Sequence, residues 1–436
     1  MNFLRNLLAA ILGCLIAFGI MFVMFMIFAS LLGNTEDTVA VKKNSILELK
    51  LEYPIQDYVG NAESDPFAGI FGFSQGLDEI LLAIEVAKDD DDIRGISLNN
   101  NFLMAGLAQT TAIRDALEDF KQDGKFVYSF ADFYLQKDYY LASVADSVFL
   151  NPVGAVDFKG LSSEVLFFKD LQEKTGIKME VIRHGKYKSA VEPFIANEMS
   201  DANRTQIKEL ISSLWDDMVE DISTGRKRSR ESLNIIADTL GGRTAEHAKA
   251  TGLVDELAFY DEYEQVLKNS LGLESKDDLN LVQLEDYVSR SNNKKKHSGA
   301  EKIAVIYAQG EILYGEGSQE AIGQGIMTEA IRRAKNDKDV KAIVLRVDSP
   351  GGSALTSDII WRELELAKAE KPFVVSMGNV AASGGYYIAA GANKIFAEPT
   401  TITGSIGVFG TVPNINELAA DIGINAEQVG TNVNSV

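Results

Sequence analysis

The sequence contains one pattern twice, in residues 92–152 and 339–399, and this repeat limits the possible folds more than any other feature. A shift of 247 residues aligns DIRGISLNNNFLMAGL with DVKAIVLRVDSPGGSA without a gap. The same shift aligns KFVYSFADFYLQKDYYLASVADSVFLNP with PFVVSMGNVAASGGYYIAAGANKIFAEP. Two copies of one structural unit predict a chain built from two similar halves.

The two copies differ at the positions where catalysis would need small or nucleophilic residues. The second copy has Ser383 followed by Gly384, whereas the matching stretch of the first copy is Gln136, Lys137 and Asp138. A serine that served only as a helix cap would be expected in both copies. The difference therefore predicts one half that acts as a scaffold and one half that carries the chemistry.

Strand-like and helix-like segments alternate through both copies. The short apolar runs at 95–98 and 342–347 are typical of buried strands. Residues 77–90 and 357–370 have apolar side chains at the spacing of one helix face. This alternation predicts an α/β fold with a parallel sheet in each copy.

Between the copies, the sequence predicts three helices and a linker. A long apolar stripe follows the N-cap candidate Ser200 and is expected to end at Gly225. Two shorter helices are predicted over 231–240 and 244–257. Residues 289–301 are polar and charged without an apolar period, which is typical of a solvated linker.

An uncharged run begins at Leu7 and ends at Leu32, which exceeds the roughly 20 residues that cross a bilayer core as a helix. The apolar part of a cleavable signal peptide has only about 7–15 residues, so we predict an uncleaved, single-pass anchor. Arg5 precedes the run and acidic residues follow it, which favours an inner (plasma) membrane protein with its bulk on the periplasmic, outer side. The predicted anchor, first repeat domain, linker and second repeat domain cover residues 1–34, 45–288, 289–301 and 302–436.

Composition excludes several kinds of site and partner. The net charge of −21 disfavours nucleic acid as a partner, because nucleic acid requires a basic face. The single cysteine, Cys14, lies inside the anchor, so the remainder has neither a thiol nucleophile nor a cysteine metal ligand. His184, His247 and His297 are scattered along the chain. We therefore expect no metal and no cofactor.

Three segments contain residues suited to catalysis. In DSPGGS, Gly351 and Gly352 follow a predicted strand, where backbone N–H groups can bind an oxyanion; the alternative is a tight turn. In AASGGYY, Ser383 begins a helix among small residues, and Gly384 offers a further N–H group. In YKSAVEPF, Lys188 has apolar neighbours that would desolvate its ammonium group, as a lysine base requires; the alternative is an exposed lysine.

DSPGGS, ASGGYY, TGSIG (403–407) and YKSAVEPF together resemble the long, two-repeat form of bacterial signal peptide peptidase A, also called protease IV, over nearly the whole chain. The resemblance implies two tandem Clp-protease/crotonase-like ββα repeats after the N-terminal transmembrane helix. It implies an endopeptidase that degrades cleaved signal peptides and other small hydrophobic peptides without a cofactor, and that assembles as a homotetramer. Ser383 would be the nucleophile and Lys188 the general base. Gly351, Gly352 and Gly384 would supply the oxyanion donors.

The second copy departs from this family pattern at its end. The first copy continues through a long helical region, whereas the second stops at Val436, so we expect a C-terminally shortened member or a fragment. Two other functions stay open. A crotonase-type acyl-CoA enzyme would share the paired N–H site but would need neither Ser383 nor Lys188. A catalytically idle membrane scaffold would need none of these residues.

Overall fold

The N-terminal helix is a unit of its own. The computed structural model describes residues 2–32, 41–60, 74–294, 299 and 301–435, and it comprises two units, Met1–Val41 and Lys42–Val436. The first unit contains helix α1 (Asn2–Leu32). Within α1, Arg5–Met26 has a mean hydropathy of 2.7 and is the only span among the described residues that is long and apolar enough to cross a membrane. The prediction of one apolar N-terminal helix is confirmed.

Strands and helices alternate through the larger unit. The first repeat and the region after it contain β1 (Ser45–Leu49), β2 (Ile55–Gln56), β3 (Gln75–Gly76), α2 (Leu77–Lys88), β4 (Ile93–Asn99), α3 (Leu107–Lys121), β5 (Phe126–Ala131), α4 (Gln136–Ala142), β6 (Ser147–Leu150), α5 (Lys169–Thr175), β7 (Lys178–Arg183), a 3₁₀ turn (Ser189–Val191), α6 (Glu192–Ile195), α7 (Asp201–Arg226), α8 (Arg230–Asp238), α9 (Ala245–Thr251), β8 (Glu256–Leu257), α10 (Tyr260–Ser270), β9 (Leu281–Gln283) and α11 (Leu284–Lys294). The second repeat contains β10 (Lys302–Gln309), β11 (Glu311–Leu313), β12 (Ala321–Gly323), α12 (Gln324–Asn336), β13 (Val340–Ser349), α13 (Ala354–Lys368), β14 (Phe373–Ala382), α14 (Gly384–Ala389), β15 (Lys394–Phe396), β16 (Ile402–Gly404), β17 (Phe409–Asn414) and α15 (Asn416–Asp421).

Each repeat forms a parallel sheet, and four strands have the same order in both: β1-β4-β5-β6 in the first and β10-β13-β14-β15 in the second. The first sheet runs β8-β6-β5-β4-β1-β9 and the second runs β10-β13-β14-β15, with β16 paired to the end of β14. The pairs β1–β4 and β10–β13 even share a register irregularity, between Ser45 and Ile46 in the first copy and between Lys302 and Ile303 in the second. The prediction of two tandem α/β repeats is confirmed.

The central strands lie in the core of each repeat. In the second repeat, Ile343, Leu345 and Val347 of β13 have no exposed surface and belong to the same hydrophobic cluster as Ile360 and Leu364 of α13. Burying a side chain of this size contributes about 1.5–3 kcal/mol. This packing fixes β13 and β14, whose carboxyl ends lead into the DSPGGS loop and Ser383.

The two repeats interact directly. Strand β7 of the first repeat region pairs antiparallel with β17 of the second, from Lys178 opposite Asn414 to Arg183 opposite Phe409. Elsewhere, Arg346 Nε on β13 donates to the buried carboxylate of Asp57 at 2.7 Å. Residues of the first repeat therefore lie against the strands that carry the second repeat's candidate residues.

Two helix ends differ from the sequence-based prediction. Helix α7 continues to Arg226 and ends at Lys227, which takes the left-handed conformation with φ 51°. Gly225 does not end it; a Cβ there would collide with the carbonyl oxygen of Ser143, so close packing explains this glycine. The helix predicted over 244–257 ends at Gly252, and Glu256–Leu257 instead joins the sheet beside β6.

The segment predicted as a solvated linker is partly helical. Helix α11 continues to Lys294, well into residues 289–301. Tyr287 donates to Asp90 Oδ2 at 2.9 Å, and Arg290 forms ion pairs with Asp90 and Asp92. The polar segment is thus attached to the first repeat through the charge of Arg290, although it has no periodic apolar side chains. Residues 295–298 and 300 of this segment lie outside the described residues.

Candidate active site

Ser383 lies at the junction between β14 and α14. Its backbone has φ 53° and ψ −114°, a conformation that costs a non-glycine residue roughly 1–3 kcal/mol. The Ser383 N–H donates to the Gly404 carbonyl at 2.9 Å, and its hydroxyl makes no capping hydrogen bond to α14. A simple helix cap therefore does not explain this serine, and the strained turn directs its side chain elsewhere.

The Ser383 hydroxyl meets the side chain of Lys188. Lys188 Nζ lies 3.1 Å from Ser383 Oγ, within one chain. Only 5% of Lys188 is exposed, and burial lowers the pKa of its ammonium group from the ordinary 10.5. The aromatic ring of Phe409 lies 5.9 Å from the same nitrogen. Lys188 is thus a desolvated amine in hydrogen-bond contact with a hydroxyl.

The pairing of β7 with β17 explains how residues 195 positions apart come together. Lys188 lies between β7 and the 3₁₀ turn Ser189–Val191, and β17 begins four residues after Ser405. Val191 is fully buried and anchors the turn. The antiparallel pair therefore carries Lys188 to the end of the second sheet.

Ser405 is a third polar group at this site. Lys188 Nζ donates to the Ser405 carbonyl at 2.5 Å and contacts Ser405 Oγ at 3.0 Å. Ser405 also has a positive φ, of 48°. The sequence analysis quoted TGSIG but assigned no role to this serine. Its only local signal is a serine close to two glycines after a strand, a pattern it shares with Ser383.

The glycine loop after β13 lies against Ser383. Gly351 and Gly352 have φ 96° and 148°, and a Cβ on Gly351 would lie 2.5 Å from the Gly384 nitrogen. Gly351 N–H donates to Ser349 Oγ at 3.1 Å and is therefore occupied. The N–H groups of Gly352 and Gly384 have no acceptor among the described residues. Two of the three candidate donors are thus available beside the serine.

The matching positions of the first repeat are occupied by local hydrogen bonds. Gln136 Oε1 accepts the N–H groups of Lys159 and Gly160 at 3.0 and 2.8 Å. The buried Asp138 carboxylate accepts the N–H groups of Leu103 and Leu135. These polar side chains satisfy backbone groups and leave no free nucleophile, in agreement with the predicted difference between the halves.

A cleft of about 820 Å³ opens over Ser383 and Lys188. Its walls are largely apolar and include Ile406, Val408 and Phe409. Lys188 and Glu311 carry the only charges among the described residues that line it. The arrangement presents a hydroxyl, a buried amine and free N–H groups to a ligand in an apolar groove.

The histidines do not belong to this site. His184 and His247 are exposed and do not line the cleft, and His297 lies outside the described residues. Among the described residues, no group of three or more His, Cys, Asp or Glu side chains is arranged to hold a metal ion.

Comparison with known proteins places the chain in a family. The model of peptidase family S49 matches residues 119–274 and 365–434, together more than half of the chain. The chain belongs to peptidase family S49. The two matched segments contain Lys188 and Ser383, respectively. The resemblance to signal peptide peptidase A and protease IV that the motifs indicated is confirmed.

The first curated relatives that the chain matches are longer than the chain. Protease 4 of Haemophilus influenzae is 38% identical over 81% of the chain and 59% of its own length. Protease 4 of Salmonella typhi is 41% identical over 81% of the chain and 58% of its own length. The chloroplastic serine protease SPPA of Arabidopsis thaliana is 33% identical over 89% of the chain. The chain therefore spans somewhat less than three fifths of the first relatives it matches.

Proposed function

We propose that this protein is a serine endopeptidase that uses a Ser–Lys dyad, with Ser383 as nucleophile and Lys188 as general base. The observation that carries the proposal is the 3.1 Å contact between Lys188 Nζ and Ser383 Oγ. A lysine can accept a serine proton only when its amine is neutral, and burial favours that form. Membership of peptidase family S49 supports the same chemistry.

The proposed reaction is acyl transfer to the serine. Neutral Lys188 takes the proton of the Ser383 hydroxyl as Ser383 Oγ attacks a peptide carbonyl carbon. The N–H groups of Gly352 and Gly384 stabilise the oxyanion, and Gly351 shapes the loop that holds them. Protonated Lys188 then gives its proton to the leaving amine. Water, deprotonated by Lys188, then attacks the ester carbonyl carbon. The bond from that carbon to Ser383 Oγ breaks, Lys188 returns the proton to Ser383 Oγ, and the second product leaves as a carboxylic acid.

The substrates we propose are cleaved signal peptides and other small hydrophobic peptides. The apolar walls of the cleft support this class, because burial of apolar surface would hold such a segment beside Ser383. Helix α1 supports attachment to the inner membrane, with residues 45–435 on its outer side. Exposed apolar side chains on β7 and β17, such as Ile182 and Val412, support assembly into a homotetramer.

Active-site labelling of the purified protein tests the proposal. A fluorophosphonate should label the wild type at Ser383, and Ser383→Ala should lose both labelling and peptide hydrolysis while keeping its circular dichroism spectrum. A crotonase-type enzyme or an idle scaffold would not be labelled. No observation of the site favours either of these alternatives, because neither explains the contact of Lys188 with Ser383. Hydrolysis by Ser383→Ala above a trace would rule out Ser383 as the nucleophile.

A further inference from the structure

Glu311 lies in the cleft at a position held by the backbone. It begins strand β11, whose central residue Ile312 is hydrogen-bonded to the glycine loop in both directions. Ile312 N–H donates to the Gly351 carbonyl at 2.8 Å, and the Ile312 carbonyl accepts the Ser353 N–H at 2.8 Å. The backbone of Glu311 is therefore fixed relative to the loop that faces the reacting carbonyl, and its side chain is exposed at the edge of the cleft.

This carboxylate has no cationic partner among the residues that the structure describes. Among the described residues, no side chain forms a hydrogen bond or ion pair with the Glu311 carboxylate, and the other charged residue of the cleft, Lys188, binds Ser383 and Ser405. Asp358, at the rim behind Tyr387, differs because it accepts the Tyr387 hydroxyl at 2.8 Å. Glu311 thus presents an uncompensated negative charge to whatever fills the cleft.

A single carboxylate in an apolar groove has a definite preference for ligands. It attracts an amine or guanidinium group and repels a second carboxylate, and because Glu311 is exposed the strength is that of a surface ion pair. The net charge of −21 adds a long-range field of the same sign. The cleft therefore favours a peptide whose apolar residues pack on its walls and whose one basic side chain reaches the Glu311 carboxylate.

We propose that Glu311 is a specificity-determining residue that binds a lysine or arginine side chain of the substrate near the scissile bond. The preferred substrates would then be peptides that combine an apolar segment with a basic residue. The inference rests on the proposed peptidase function. Glu311 takes no part in bond making or breaking; it selects which peptides reach Ser383 in a productive position.

A lysine scan of one peptide tests the inference. A quenched-fluorescent apolar peptide is prepared with Lys, Gln or Glu at each position in turn around the cleaved bond, and kcat/KM is measured for each. At one position, or two adjacent ones, the wild type should prefer Lys to Gln about three- to fivefold and should disfavour Glu. Glu311→Gln should bring the Lys/Gln ratio close to one, and Glu311→Lys should favour Glu over Lys. Glu320→Gln, which removes an exposed carboxylate outside the cleft, should keep the wild-type ratio.

The outcomes separate this inference from the proposed function. A Lys/Gln ratio near one at every position, or a preference that survives in Glu311→Gln, would overturn the role of Glu311 while hydrolysis itself stands. If the wild type hydrolyses no peptide, the proposed function fails, and fluorescence anisotropy of the same peptides still tests Glu311. In the Ser383→Ala background, the Lys peptide should bind about three- to fivefold more tightly than the Gln peptide, and Glu311→Gln should abolish that difference.

Discussion

Replacing Ser405 with alanine should lower kcat about tenfold and leave KM nearly unchanged. Lys188 Nζ contacts three oxygen atoms, Ser383 Oγ at 3.1 Å, Ser405 Oγ at 3.0 Å and the Ser405 carbonyl at 2.5 Å. The substitution removes one of them. A hydrogen bond to a charged group contributes about 1.5–3 kcal/mol, and we take the lower figure because Ser405 is exposed. A loss of about 1.4 kcal/mol in the transition state is a tenfold loss of rate.

The pH–rate profile distinguishes orientation of the lysine from a general loss of structure. Ser405 Oγ stabilises the protonated lysine, so its removal should lower the pKa of Lys188 further and move the acidic limb to lower pH. Ser270→Ala is a matched control, because it also removes one hydroxyl, which donates to Leu267 far from the cleft. The role of Ser405 in orienting Lys188 would be refuted if Ser405→Ala had a kcat within twofold of the wild type and a pH–rate profile whose acidic side was not shifted.

Three further predictions concern the base, the anchor and the contact between the repeats. Lys188→Arg should be as inactive as Lys188→Met in a peptidase assay, because arginine does not lose its proton near neutral pH; a near-native arginine variant would disprove the lysine-base assignment. Removal of residues 1–34 should leave a protein that stays in the supernatant on membrane fractionation, and salt-resistant membrane binding would reveal a second insertion surface. Asp57→Ala should lower the free energy of unfolding in urea by about 2–4 kcal/mol, because Arg346 loses its buried carboxylate, whereas a change below 1 kcal/mol would contradict that role.

The parallel sheets could be predicted from the sequence because their strands are short apolar runs between helices of clear periodicity. The pairing of β7 with β17 could not be predicted. Strand β7 is mostly exposed, so KMEVIR has no buried face to indicate its partner, and β17 lies more than 200 residues away. The course of α11 was missed for a related reason. Its apolar residues Leu284 and Tyr287 precede residue 289, and beyond that point the helix is polar and is held by the ion pairs of Arg290 with Asp90 and Asp92.

Part of the candidate site could be predicted from the sequence, and the rest depends on the folded chain. Comparison of the two repeats predicts Ser383 as nucleophile. Its apolar neighbours make Lys188 a candidate base, and the resemblance to the family implies that role. Ser405 was not identified, because its role depends on the position of Lys188 Nζ, which only the folded chain defines. The sequence also could not separate the three glycines. The hydrogen bond from Gly351 to Ser349 Oγ depends on the loop conformation.

The pH dependence of fluorophosphonate labelling tests the central claim, activation of Ser383 by Lys188, most directly. Labelling reports the nucleophile alone and needs no knowledge of the substrate. Because burial lowers the pKa of Lys188, the wild-type rate should rise with pH and reach half its maximum below the ordinary 10.5 of a lysine. The Lys188→Met variant should be labelled far more slowly, and its labelling rate should not show this rise with pH. Equal labelling rates and the same pH profile in the wild type and Lys188→Met would contradict the account.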